Sequence, residues 1–252
     1  MYSVVLPIKA QENGGVTQNY ILFTQVGLPS FEKFWDIHRL KTFYIVCPDE
    51  DIPVLQEATN KSKLPYRIVS ENSLNLIACK GWYKQQLIKL KMAEIIETPY
   101  YLVLDSDHFL TRKFSYSDMF ENRKLKYSYE PWQTENNHLY SVNSRWWESS
   151  CRMLNFPISA LKSEKYLMGV TPQILITNIV LSLLSELGKN WQEKFIQEQA
   201  TEFTLYWLYV LSKNYTSNYT TIGKPLWKHD LNTNILVQNQ DISSIKNAFS
   251  PE

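Results

Sequence analysis

Asp105-Ser106-Asp107 places two carboxylates one residue apart, directly behind the apolar run Tyr100-Tyr101-Leu102-Val103-Leu104. A short apolar run of this kind reads as a strand buried on both faces, in the middle of a mostly parallel sheet. The carboxyl ends of such strands open on the crevice where α/β folds bind ligands. Paired carboxylates there are costly unless a positive group answers them. A divalent cation is the simplest answer. A solvated turn, a helix cap and a pair of salt bridges are the others. Asp105 and Asp107 offer hard oxygen ligands that suit Mg²⁺ or Mn²⁺, with water and substrate phosphates completing the shell. His229 is a candidate third ligand and would favour Mn²⁺. His108 adjoins the pair, but strand alternation sends it to the opposite side, in a structural role.

Two further groups could act on a bound substrate. Gln85, Gln86 and Lys89 share one face of a helix predicted from Gly81 to Ile96, whose apolar positions recur near the 3.6 period. That face is either solvated or turned toward the crevice to meet a phosphate or sugar. Glu202 follows Ala200-Thr201 at the predicted start of a helix, where a carboxylate is favourable for dipole reasons alone. In the crevice it would serve as a base that takes a proton from an acceptor hydroxyl.

The elements that must position these groups follow from the apolar pattern. Tyr2 to Ile8 reads as a first, central strand. Thr42 to Cys47 is a second buried strand, closed by Pro48-Asp49-Glu50-Asp51, which turns the chain and caps a helix from Ile52 to Thr59. Tyr66 to Val69 is a third strand. Strand, helix and strand at this spacing make a βαβ unit, hence a parallel sheet. Further along, Phe31 to Asp36, Arg145 to Leu154 and Asn178 to Leu187 read as helices, the last ending at Gly188. Lys126 to Trp132 and Leu167 to Ile176 read as strands, with Pro172 marking an edge or bend. Trp191 to Leu211 reads as a helical stretch broken near Thr201.

The chain has 252 residues, enough for one large domain with a real core. Its net charge of +1 gives no field to steer nucleic acid. Seven glycines, with no Gly-rich phosphate loop among them, exclude the common dinucleotide and P-loop signatures. Three scattered cysteines give no zinc spacing and fit a reducing, cytoplasmic setting. No run approaches the roughly 18 apolar residues of a membrane span. Aromatic residues are abundant, with 16 Tyr, 11 Phe and 8 Trp, which provide thick packing or flat platforms for sugars and bases.

Taken in order, Gly-Trp-Tyr-Lys-Gln-Gln-Leu-Ile-Lys-Leu-Lys (81–91), the strand ending in Asp-Ser-Asp, Met-Gly-Val-Thr-Pro-Gln (168–173), Thr-Glu-Phe-Thr-Leu-Tyr (201–206) and a late Trp-Lys-His (227–229) resemble the GT-A-fold glycosyltransferases. Within that fold the motifs resemble the surface-glycan transferases of bacteria and large DNA viruses. The resemblance implies one α/β domain over residues 1–252, with a mostly parallel central sheet flanked by helices. Within it, about 1–110 would hold the nucleotide and about 111–230 the acceptor, with a peripheral tail over 231–252. It also implies a UDP- or GDP-sugar donor, a glycan or glycolipid acceptor, and Mn²⁺ or Mg²⁺. Pro7, Ile8 and Lys9 would meet the base. Asp105, with Ser106, would bind ribose or metal, and Asp107 the metal. Lys89 with Gln85 or Gln86 would touch the diphosphate or donor sugar, and Gly169, Thr171 and Gln173 would floor a sugar pocket. Glu202 would be the base of an inverting reaction, and Lys224 and His229 would close over the diphosphate. The chain departs from the glycogenin-like pattern at Gly223-Lys224-Pro225-Leu226-Trp227, where the histidine follows the element instead of preceding it. A lipid-linked acceptor would bring the enzyme to a membrane surface.

Rival readings are a haloacid-dehalogenase-type phosphohydrolase using Asp105 and Asp107, a nucleotidylyltransferase, and a non-catalytic glycan-binding protein. The first lacks a later acidic pair for its metal. The second lacks a Gly-rich N-terminal signature. The metal pair argues against the third.

Overall fold

The computed structural model describes residues 1–131, 140–161, 166–220 and 235–237. Its centre is a five-stranded sheet built from β1 (Tyr2–Pro7), β2 (Leu40–Cys47), β3 (Tyr66–Ser70), β4 (Tyr100–Val103) and β5 (Gln173–Ile176). Their spatial order is β5-β4-β1-β2-β3. β1 pairs in parallel with both β2 and β4, and β2 with β3. β5 runs antiparallel against β4 at the edge. The architecture is therefore α/β with a mostly parallel sheet, and β1 is central as its unbroken apolar run requires. All six residues of β1 are buried. Tyr101, Leu102, Val103 and Leu104 have no solvent exposure.

The topology fixes where a ligand can enter. The chain lays β1, β2 and β3 outward in one direction, then returns to place β4 on the other side of β1. Between β1 and β4 the direction of winding reverses, and the carboxyl ends of the strands at such a switch point border the binding crevice. Asp105 and Asp107 lie just beyond β4. Pro7, Ile8 and Lys9 lie at the end of β1 beside them, with Ile8 N donating to Val46 O (2.9 Å).

The helices include α1 (Ile52–Thr59), α2 (Gly81–Lys91), α3 (Tyr140–Leu154), α4 (Thr177–Leu187), α5 (Trp191–Glu198) and α6 (Glu202–Ser212), of which α2, α3 and α6 supply residues to the site. α1 has the predicted bounds. Its expected cap does not form, because the Asp51 side chain makes no capping bond; Oδ2 accepts from the Ala10 N–H (2.6 Å) and ties the end of β1 to the start of α1. The early helix runs Leu28–Phe34, three residues ahead of the predicted start. The α-helical part of α2 stops at Lys91, and a 3₁₀ turn over Met92–Glu94 follows. Gly188 ends α4 in a positive-φ conformation (φ 79°), as its position predicts. The long helical stretch does break before Thr201: Gln199 is left-handed (φ 58°) and Thr201 is extended. Thr201 occupies the N-cap position of α6, but its hydroxyl meets Thr204 Oγ1 (2.7 Å) and not a backbone N–H.

Two strands expected as single runs are divided. Lys124–Lys126 and Tyr129–Pro131 replace the run from Lys126 to Trp132, and Trp132 lies outside the described residues. Tyr166–Met168 and β5 replace the run from Leu167 to Ile176, separated by a loop with a cis Thr171–Pro172 peptide. Among the described residues, no helix is long and apolar enough to cross a membrane.

Candidate active site

α2 and α6 are unusual helices. Gln86 through Lys89 and Leu90 of α2 are all buried, and so is every residue of α6 from Glu202 to Val210. Neither helix keeps a solvated face there, so the polar groups at Gln86, Lys89 and Glu202 are forced inward. The solvated alternative for the Gln85-Gln86-Lys89 face therefore fails for Gln86 and Lys89, which are 3% and 4% exposed.

Buried charges need partners, and α2, α6 and the segment just beyond β4 supply them to one another. Lys89 Nζ lies 2.8 Å from Asp105 Oδ1 and 3.0 Å from Glu202 Oε1. The Thr171 hydroxyl donates to Asp105 Oδ2. The Gln86 amide oxygen accepts from the Glu202 backbone N–H (3.4 Å), and Lys89 sits 5.3 Å from the centroid of the Phe203 ring. The Tyr101 hydroxyl donates to Lys89 O (2.9 Å), anchoring α2 to β4.

The electrostatics follow from this cluster. Burial opposes charge on Lys89, but Asp105 and Glu202 outweigh it and hold the ammonium well above its ordinary range. Burial also raises Asp105, yet the charge of Lys89, with His108 and the hydrogen bonds from Lys89 and Thr171, brings it below the ordinary carboxylate value. For Glu202 the balance is reversed: burial dominates the pull of Lys89, and its carboxyl is raised.

Asp107 is placed differently. Among the described residues its Oδ1 is buried without a hydrogen-bond partner, and His108 Nδ1 stands 3.2 Å away. The expectation that His108 points away is corrected. β4 ends at Val103, and the chain turns, with His108 N donating to Asp105 O (3.2 Å), so strand alternation no longer applies and the imidazole folds back beside Asp105. Candidate ligand atoms of Asp105, Asp107 and His108 all lie within 4.8 Å of one another. An orphaned carboxylate oxygen within an oxygen-and-nitrogen donor set fits a divalent cation.

Gln86, Lys89, Asp105, Asp107 and Glu202 line a cavity of about 280 Å³ that also takes in Gln85, Ser106, Gly169 and Thr171, with His108 buried behind the wall. Among the described residues its charged lining is three carboxylates (Asp105, Asp107, Glu202) against one ammonium (Lys89), an excess that a divalent cation would balance. Most of the predicted site residues are thus brought together. Gln173 is fully buried beneath the loop, with Nε2 within reach of Ser128 O, Gly169 O and Val170 O (2.8, 3.0 and 2.9 Å) and Oε1 accepting from Ser128 N (3.1 Å). It shapes the loop that carries Gly169 and Thr171. Pro7, Ile8 and Lys9 border the switch point without lining the cavity, and Lys9 pairs with Glu12 at 2.6 Å. Lys224 and His229 lie outside the described residues.

The sequence reading missed Trp82, Trp146 and Thr204, which also line the cavity. Trp82 carries a readable signal: 82, 85, 86 and 89 continue one helical face.

Comparison with known proteins adds a family and a fold. The model of the family of unknown function DUF6492 matches residues 1–242. The chain belongs to that family. By sequence, no curated protein matches it. Among solved structures, this DUF6492 chain is similar to the apo crystal structure of mouse xyloside xylosyltransferase 1. The likeness covers 94% of this chain and 97% of that one, with a TM-score of 0.53 and 11% identity. The shared feature is the GT-A fold, with its mostly parallel sheet between helices.

Proposed function

We propose that the chain is a metal-dependent glycosyltransferase that moves a sugar from a nucleoside-diphosphate sugar to a hydroxyl of a glycan or glycolipid. The observation that carries this reading is the pairing, at the switch point of a GT-A sheet, of the buried Lys89–Glu202 pair and the adjoining Asp105 with an Asp107 oxygen that has no hydrogen bond among the described residues. Asp107, Asp105 and His108 would hold the cation. Bound Mn²⁺ or Mg²⁺ supplies positive charge to a departing diphosphate.

The chain's own residues do the rest. Lys89 is a fixed positive charge in a site screened from water, where it counters negative charge that develops on the leaving group. Asp105, locked by Lys89 and Thr171, sets the position of the motif. Glu202, raised by burial, is suited to accept a proton from the acceptor hydroxyl. With a carboxylate base opposite the leaving group, the reaction inverts the anomeric centre. The phosphohydrolase alternative needs a further acidic pair for its metal; among the described residues the cavity adds only Glu202 to Asp105 and Asp107, and Lys89 holds it. The natural setting of this chemistry is polysaccharide assembly in the cytoplasm, with a lipid-linked acceptor drawing the enzyme to a membrane surface.

The test is a melting assay with UDP and GDP, each with Mn²⁺ or Mg²⁺, followed by transfer assays with sugar nucleotides. A cation-dependent rise in Tm with one nucleotide is expected. Glu202→Gln should keep that rise and lose transfer by about 10²–10⁴-fold, the usual contribution of a general base. No shift with any nucleotide and metal would overturn the reading. Near-normal transfer by the variant would leave Glu202 as a helix-start residue only.

A further inference from the structure

Trp82 and Trp146 form an aromatic wall of the cavity. Their ring centroids lie 5.9 Å apart and the planes are tilted by 31°. Tyr83 packs edge-on against Trp82 (4.9 Å, 73°), so the indole is braced from two directions. Trp82 is nevertheless 49% exposed, whereas Trp35, Trp147, Trp191 and Trp207 are all at or below 7%. A braced, half-open indole lining a charged cavity offers a flat apolar face to a ligand.

The backbone beneath this platform is tied to the start of α6 at Glu202. Gln86 Nε2 donates to Trp82 O (3.4 Å), while Gln86 Oε1 accepts from Glu202 N (3.4 Å). Gln85 and Thr204 add polar groups to the same cavity. A flat aromatic face with an electron-rich quadrupole attracts the weakly positive C–H groups of an apolar ring face. A pyranose presents such a face, with hydroxyls around its edge for polar partners. One apolar wall with a few polar groups is the usual make-up of a small-molecule site.

We infer that Trp82, backed by Trp146, is the stacking platform of an acceptor subsite that holds a pyranose ring beside Glu202. The acceptor role rests on the transferase reading; the stacking itself does not.

Saturation-transfer NMR with methyl glycosides of glucose, galactose and mannose tests the platform on the full chain. Saturation is expected on the C–H protons of one ring face in the wild type. Trp82→Ala should weaken glycoside binding about tenfold, the size of one aromatic contact. Trp82→Phe should keep it within about threefold. Because the indole is half-exposed, Trp82→Ala should melt close to wild type, which separates lost binding from lost folding. Equal glycoside binding by Trp82→Ala, absence of saturation on every glycoside, or saturation confined to added uridine or guanosine would each overturn the platform. The nucleotide melting shift, measured on the same samples, separates the two hypotheses. A shift with glycoside binding indifferent to Trp82 rejects the platform alone, and Trp82-dependent glycoside binding with no shift rejects the transferase reading alone.

Discussion

Asp105 and Asp107 stand two positions apart in one motif, and their surroundings differ sharply. Asp105 has Lys89 on one oxygen and Thr171 on the other. Asp107 keeps a buried oxygen with no hydrogen bond and an imidazole beside it. The first end of the site is internally balanced: the buried Lys89 and Glu202 answer each other, and Lys89 also answers the partly exposed Asp105. The second end is left short of a positive partner. The two carboxylates divide the labour in a way that the spacing alone does not show. Asp105 holds the motif against α2 and α6, and Asp107 retains the capacity to take an external cation.

Removing Lys89 breaks the balanced end and has the largest expected effect. Lys89→Met strands Asp105 and Glu202 without their shared cation, at a cost of about 3–5 kcal/mol for one broken buried pair. Urea unfolding of the cation-free protein measures it. Adding Glu202→Gln to that variant should restore part of the loss by removing one stranded charge. A loss below about 1 kcal/mol would mean that water in the cavity already screens the cluster.

Removing the charge at the open end should do the reverse. Asp107→Asn is expected to change stability by no more than about 1 kcal/mol, yet to abolish the Mn²⁺-dependent part of the nucleotide melting shift. If the metal response is unchanged, Asp107 is not the principal ligand and the contrast between the two carboxylates loses its functional meaning.

Much of this arrangement was legible in the sequence where local pattern and global position agree. The apolar run before Asp105, the βαβ unit from Thr42 to Val69 and the break before Thr201 all follow from patterns that persist in the fold. Legibility fails where a residue's partner is distant in the chain. Asp51 was read as a local cap but bonds Ala10, 41 residues earlier. Nothing near Lys89 announces that it will meet Glu202, 113 residues on. His108 was misplaced because a periodic rule was carried one turn past the end of its strand. Trp146 carried no local signal, since only the packing of α3 against α6 brings it to the cavity.

Glu202 offers the smallest effect and the finest test of the balanced end. Burial raises its carboxyl more than Lys89 lowers it, and the charge of Asp105 adds to the rise. Just above the unfolded value of about 4.3, the folded protein therefore holds this proton more often than the unfolded chain does. Folding then takes up a proton, so stability falls as pH rises through that window and levels off once the folded carboxyl has ionised. Glutamine cannot titrate, and Asp105, held below the ordinary range, stays ionised across the window. Urea unfolding in EDTA from about pH 4.5 to 7.5 should show the stability of the wild type relative to Glu202→Gln decreasing as pH rises. A flat difference would mean that Lys89 fully compensates the burial of Glu202. A difference of opposite slope would mean that the ion pair outweighs burial, and Glu202 would then be a weak base held for structure, with the proton acceptor to be sought elsewhere in the cavity.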